Sequence, residues 1–260
     1  MTVLVISATA FSACGGSQGA SSDTPEAAYL AGQRYYEEQR YHKSIKSFQR
    51  VFEFGRVHEW AADSQFMLGR SYYEDEQFLL SSNEFERFIG LYPSDDRIEE
   101  AAYYRAMSFY ELSPVFNLDP TDTKKAVDYL RLFLATYPNS EFRDDIGLKI
   151  DELQEKLATK LMESARIYER GEQHRAARLT YERVLSEYPS SAPVDEALLG
   201  AMRAQIAYAD ASVFTRQADR YREATQIYDR MFQLFPDSPY LKDAEALYVQ
   251  AQAKLQEFGG

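Results

Sequence analysis

Cys14 is the single cysteine of this 260-residue chain, so neither an intrachain disulfide nor a CxxC metal or redox pair can form. The three histidines, His42, His58 and His174, are too scattered for HExxH or a comparable zinc spacing. Acid/base chemistry would need convergent carboxylates. The adjacent pairs Asp95-Asp96, Glu99-Glu100 and Asp144-Asp145 fall instead at predicted helix starts, where negative charge meets the helix dipole and free N–H groups. Glu37-Glu38 and Glu74-Asp75-Glu76 close predicted helices and read as a solvated face, with a basic partner as the other reading. No GxSxG elbow presents a serine nucleophile. These residues supply no catalytic set, and neither a metal nor any other cofactor is expected. The 41 acidic and 29 basic residues give a formal charge of −12. That argues against general nucleic-acid binding, which needs a basic footprint.

The setting of Cys14 points to a different chemistry. Residues 3–11 are mostly apolar but well short of the roughly 20 residues that span a bilayer, and they fit the h-region of a secretory signal. Phe11-Ser12-Ala13-Cys14, followed by the Gly/Ser-rich residues 15–22, resembles a bacterial lipoprotein signal. The small residues let a peptidase reach the cleavage site, the thiol takes the lipid, and the polar segment is a flexible tether. Phe11 stands where leucine is usual, and no Lys or Arg precedes the apolar run. The expected organisation is a signal peptide over 1–13, lipidation at Cys14 and a tether over 14–24. Gly15, in place of aspartate, implies the outer membrane by the same resemblance.

The remaining chain is 45% apolar overall, with only 12 glycines and 9 prolines but 20 tyrosines and 16 phenylalanines. This composition predicts an all-α fold. An aromatic-proline pair followed by small or polar residues recurs at Tyr92-Pro93-Ser94-Asp95, Tyr137-Pro138-Asn139-Ser140, Tyr188-Pro189-Ser190-Ser191 and Phe235-Pro236-Asp237-Ser238. Proline stops one helix, and Ser or Asp is expected to cap the next. Aligned back from each proline, and from Arg56 in its place in the first repeat, the tetratricopeptide pattern fits five times. The repeats read Gly32, Tyr35, Ser44, Phe48, Val51; Gly69, Tyr72, Ser81, Phe85, Phe88; Ala106, Tyr110, Ala126, Leu130, Phe133; Ala165, Tyr168, Ala177, Tyr181, Val184; and Ala204, Tyr208, Ala224, Tyr228, Met231. Small residues let two helices approach and large ones fill the space between them.

The spacing predicts helices near 25–39, 41–55, 58–75, 77–91, 95–112, 121–137, 140–170, 172–187, 192–213, 217–235 and 239–257. Repeats three and five carry insertions, a proline-containing loop at 112–122 and a partly helical stretch around 210–219. The long helix over 140–170 is expected to bridge the first three repeats to the last two, and the last helix to cap an α-solenoid of about five pairs.

A lipobox, five such repeats and an inserted third repeat together resemble the BamD family, lipoproteins of the outer-membrane β-barrel assembly machine. The stretch from Ala101-Ala102-Tyr103-Tyr104-Arg105-Ala106 to Asp119-Pro120, and Tyr137-Pro138-Asn139-Ser140-Glu141, is the most family-like. The resemblance implies a non-enzymatic scaffold anchored by lipid to the outer membrane on its periplasmic side. It implies three kinds of partner: a BamA-type barrel subunit bound through residues 140–260, other assembly-machine lipoproteins, and unfolded outer-membrane proteins received by residues 25–139. Tetratricopeptide families line their groove with the first helix of each repeat. The corresponding positions here are Tyr29 and Tyr36, Phe66 and Tyr73, and Tyr104 and Glu111, each pair seven apart on one helix face. Tyr29, Tyr36, Phe66, Tyr73 and Tyr104 are therefore peptide-groove candidates, against packing between repeats as their other use. Met162 and Met202 replace the ring in repeats four and five. Two rival functions are a lipoprotein scaffold for cell-wall or secretion machinery, and a helical cell-wall lyase. The lack of an acid/base set stands against the lyase.

Overall fold

The computed structural model describes residues 24–258. Cys14 and the predicted signal peptide lie outside the described residues, as does all of the tether but Thr24. The chain forms two compact units that divide between Glu76 and Gln77. Among the described residues there are eleven α-helices and no strand.

In the first unit, α1 (Pro25–Glu37), α2 (Tyr41–Val51) and α3 (Ala61–Glu74) pack on one another. Thr24 starts α1: its hydroxyl accepts the Ala27 N–H at 3.1 Å, and Pro25 occupies the first turn, where no donor is needed. Ala28, Tyr29, Ile45, Phe48, Val51, Leu68 and Tyr72 form the core. The Phe48 ring lies against the α1 backbone at Gly32, so a Cβ there would meet it at 2.6 Å. Beside it, the Ser44 hydroxyl donates to the Gly32 carbonyl at 2.9 Å and meets the Ser71 hydroxyl at 2.9 Å. These serines are buried and satisfied, so they tie three helices together without a desolvation penalty.

The second unit runs from α4 (Phe78–Leu91) through α5 (Ile98–Leu112), α6 (Thr121–Thr136), α7 (Arg143–Arg170), α8 (His174–Glu187), α9 (Val194–Asp210), α10 (Phe214–Leu234) and α11 (Leu241–Gln256). Each packs on the next, and α11 also reaches α9. At 28 residues, α7 is about 42 Å long, and it packs against both α6 and α8. Its stripe of Ile146, Ile150, Leu153, Leu157, Met162 and Ala165 is buried. Here Gly200 takes the Tyr181 ring: a Cβ would lie 2.7 Å from it.

The fold class is thus all-α, a tetratricopeptide-like α-solenoid, with α1, α2 and α3 in the first unit and α4 to α11 in the second. Burial follows the repeat register. In the second helices, Ser44, Phe48 and Val51 are buried; so are Ser81, Phe85 and Phe88; Ala126, Leu130 and Phe133; Ala177, Tyr181 and Val184; and Ala224 and Met231. Only Tyr228 is half-buried, its ring tilted by 35° against that of Tyr248 of α11 with the centroids 4.7 Å apart.

The turns within and between pairs explain the helix boundaries. Gln39, Glu76 and Glu172 take left-handed φ values of 57°, 58° and 54° and end α1, α3 and α7. That conformation is the usual helix stop, here made without glycine. Repeats three and five reach their second helix through the inserted segments instead. After each aromatic-proline pair the chain makes a tight turn, with the fourth residue's N–H bonded to the aromatic carbonyl at 3.0 to 3.2 Å. The next helix starts two or three residues later than expected, at Ile98, Arg143, Val194 and Leu241. The expectation that Ser or Asp caps these helices is corrected. Asp95, Ser140 and Ser238 accept the N–H two residues on, at Arg97, Phe142 and Tyr240. They fix the turn, and the helix ends proper carry no side-chain cap.

Both ring-over-glycine contacts are predicted to be intolerant of side chains. Gly32→Leu and Gly200→Leu should each lower stability by about 1–3 kcal/mol through overpacking. Chemical unfolding checks this, and a wild-type midpoint for both would show that the rings do not lie where described.

Candidate binding surfaces

The groove candidates divide by burial. On α1, Tyr29 is 8% exposed; its ring lies 5.9 Å from Phe48 and 5.0 Å from Trp60, and its hydroxyl accepts from the Gln33 amide at 2.6 Å. On α3, Phe66 is 4% exposed. Tyr29 therefore serves packing in the first unit's core, and Phe66 is buried as well. One turn or two further along their helices, Tyr36 and Tyr73 are half-buried. Tyr36 meets Tyr41 edge-on at 5.5 Å, and its hydroxyl donates to Glu74 on α3 at 3.5 Å. Burial falls toward the C-terminal ends of α1 and α3, where the chain turns left-handed.

In the second unit Tyr104 is half-buried and stacks on Phe85 at 5.5 Å with 17° between the ring planes. Its neighbour Tyr103 meets it edge-on and stacks on Phe142 at 4.1 Å. Phe142 follows the Tyr137-Pro138 turn, so the turn delivers a ring to this cluster. Glu111, seven residues after Tyr104, is exposed. Met162 and Met202 are buried in the core of the second unit and present no surface.

The carboxylates do structural work. Glu99 and Glu100 occupy the first turn of α5, and Asp144 and Asp145 that of α7. Arg97 clasps Asp95 through two side-chain hydrogen bonds of 2.9 and 2.8 Å and holds its carboxyl below the usual range. His42 faces Asp75 at 3.4 Å, and His174 opens α8. Among the described residues no group of His, Cys, Asp and Glu is arranged to hold a metal ion, and no helix is long and apolar enough to cross a membrane.

Sequence reading missed a polar node. Glu169, near the end of α7, accepts the Tyr181 hydroxyl at 2.7 Å and pairs with Arg203 of α9. Burial pushes the Glu169 carboxyl up, but the Arg203 and Tyr181 bonds outweigh it and the net shift is downward. Burial first, and then the bond to Glu169, raises the Tyr181 phenol well above 10.0. Tyr110 and Tyr221 are raised in the same way, by burial and by Glu152 and Asp210. A second missed feature is the serine pairing: Ser44 with Ser71 and Ser81 with Ser108, both 27 residues apart. That repeated interval is visible in the sequence and could have marked it.

Helices with small residues at the crossings and rings wedged between them define the class: a tetratricopeptide-like, all-α repeat fold. The chain belongs to the YfiO family, described as outer membrane lipoprotein, whose model matches residues 21–209. It is similar to the outer membrane protein assembly factor BamD of Caulobacter vibrioides, 27% identical over 181 residues, covering 70% of this chain and 59% of that protein. BamD of Rickettsia prowazekii is 26% identical over 170 residues, covering 65% of this chain and 68% of that protein. The chain thus spans little more than half the length of the Caulobacter relative. Among solved structures, a TPR repeats protein from Bacteroides fragilis overlaps with a TM-score of 0.46 at 9% identity, over 88% of this chain and 98% of that one. The TPR2AB domain of yeast Sti1 overlaps with 0.42 at 13% identity, over the same shares. No functional weight rests on either overlap.

The raised phenols set a sign for alkaline stability. Their folded values lie above the unfolded 10.0, so their contribution is complete below that pH and is lost as pH rises through the folded values. The thermal midpoint should fall steeply above pH 10, and more shallowly in Tyr181→Phe. Identical alkaline slopes for wild type and variant would contradict the role given to Tyr181.

Proposed function

We propose that this chain is a lipid-anchored, non-enzymatic scaffold of the machinery that assembles outer-membrane proteins. The family match over residues 21–209 carries the proposal. It takes in the whole of the first unit's helices and most of the second's, and two matched relatives are named as assembly factors. In this reading Cys14 carries the acyl groups, palmitate among them. The Gly/Ser-rich residues after it let the helical domain stand off the periplasmic face of the outer membrane.

The partners follow the same division as the expectation. Residues 140–260 dock the BamA-type barrel subunit, and other assembly-machine lipoproteins join the complex. Residues 25–139 receive the C-terminal, strand-like signals of unfolded outer-membrane proteins. Half-buried rings suit that task, because an aromatic face can pack an apolar side chain while its edge and hydroxyl stay wet. Tyr36, Tyr73 and Tyr104 have that degree of burial. Tyr29 and Phe66 lie deeper.

Two outcomes are expected. Cys14→Ser should leave the melting curve unchanged and release the protein from membranes; unchanged fractionation, with no acyl mass on the native N-terminus, would exclude the anchor. Tyr73→Ala should weaken binding of an aromatic-ended peptide from an outer-membrane protein C-terminus by at least ~2 kcal/mol, as loss of an anchor ring does. Phe66→Ala should act on stability, by about 3–5 kcal/mol. Calorimetry on both variants separates these effects, and full peptide affinity in Tyr73→Ala would remove that ring from the groove.

A further inference from the structure

The loop Ser113 to Pro120, which separates α5 from α6, presents the densest exposed apolar cluster among the described residues. Val115 is 63% exposed, Phe116 41% and Leu118 56%. No other four-residue stretch there holds three large exposed apolar side chains. The loop is nevertheless fixed. The Leu118 N–H closes a turn onto the Val115 carbonyl at 3.1 Å. Lys160 of α7 donates to the carbonyls of Phe116 and Leu118 at 3.3 and 2.7 Å, and Lys156 donates to the Ser113 hydroxyl at 3.0 Å. The Ser113 and Thr123 hydroxyls meet at 2.8 Å, and Asp119 accepts the Thr121 N–H at 2.8 Å.

The charges around this tip are unusual for the chain. Lys156 and Lys160 direct these hydrogen bonds at neutral oxygens. Lys124 and Lys125 follow in the first turns of α6, with Lys125 3.4 Å from Asp122. Four lysines stand against Glu111, Asp119 and Asp122 around the loop, a local excess of positive charge in a chain of charge −12, while Glu152, Glu155 and Glu163, which flank Lys156 and Lys160 on α7, are bonded to Tyr110, Ala192 and Arg166. A protruding apolar turn flanked by lysines suits the boundary between headgroups and acyl chains. The rings and branched chains enter, and the ammoniums stay with phosphate. A concave, mixed surface would suit a peptide better. Because the backbone is already clamped, little ordering opposes insertion.

We propose that Val115, Phe116 and Leu118 form an interfacial contact that seats the domain against an anionic phospholipid leaflet. This rests on the outer-membrane location in the proposed function, but not on Cys14 being acylated.

The test exploits the single cysteine. In full-length Cys14→Ser the chain is free of thiols, so Phe116→Cys or Val249→Cys takes one environment-sensitive fluorophore. Each labelled chain is mixed with vesicles of phosphatidylcholine, or of phosphatidylcholine and phosphatidylglycerol in equal parts. The probe at 116 should brighten severalfold and shift to the blue on the anionic vesicles, while the probe at 249, on α11, stays dark. Adding Lys124→Glu and Lys125→Glu, at unchanged helicity, should lower vesicle affinity by ~10-fold or more. A dark 116 probe, an equal response at 249, or an equal response on neutral vesicles would overturn the proposal. A probe dark on vesicles but bright with solubilised outer-membrane proteins would also overturn it, assigning the loop to a protein. If the native chain still fractionates with membranes while the 116 probe is dark, the loop assignment alone fails and the anchor reading stands.

Discussion

A phenyl ring lies across the backbone of Gly32 and a phenol ring across that of Gly200, each closer than any side chain would allow. The rest of the fold depends on this kind of approach. Two helices brought so near bury the whole inner face of the second helix, which is why Phe48, Val51, Tyr181 and Val184 lose nearly all their solvent. Alanine does the same work more gently at Ala106, Ala165 and Ala204, all fully buried or nearly so. Once the crossing point is fixed, the 3.6-residue period fixes which residues face the neighbour and which face water.

Polar groups reinforce the crossings rather than interrupt them. The Ser44 hydroxyl bonds the carbonyl of Gly32, the very residue whose missing side chain admits the Phe48 ring. Near Gly200, the Tyr181 ring is buried while its hydroxyl reaches Glu169, which Arg203 pairs from α9. A buried phenol without that acceptor would carry a desolvation cost. The left-handed residues Gln39, Glu76 and Glu172 then stop α1, α3 and α7. Carrying a side chain at those three positions narrows what the unfolded chain can adopt there.

Most of the architecture was legible because its signals are local and repeated. Aromatic-proline pairs mark helix ends, and Gly or Ala followed by Tyr three or four residues later marks the first helices, so the number, order and register of helices could be read directly. Boundaries slipped by two or three residues after each proline because Asp95, Ser140 and Ser238 bond forward to hold a turn instead of capping a helix. Gly200 escaped notice because it sits four residues before the small position of its repeat, and only the path of Tyr181 makes it necessary. For the candidate surface, position along a helix was readable but burial was not. Tyr29 and Tyr36 share a face, yet Trp60, which starts α3, covers only the first. A ring supplied from a distant turn leaves no periodic trace.

The family is described as outer membrane lipoprotein, and the proposed scaffold role depends on what these packed helices hold. The most direct test is recovery of the chain from gently solubilised native membranes, after brief crosslinking, with the associated proteins identified by mass. The account predicts that a large outer-membrane β-barrel protein is recovered in near-stoichiometric amount. It also predicts that the protein is crosslinked to residues in the 140–260 segment. Recovery of cell-wall or secretion proteins in its place, with no barrel protein, would contradict it.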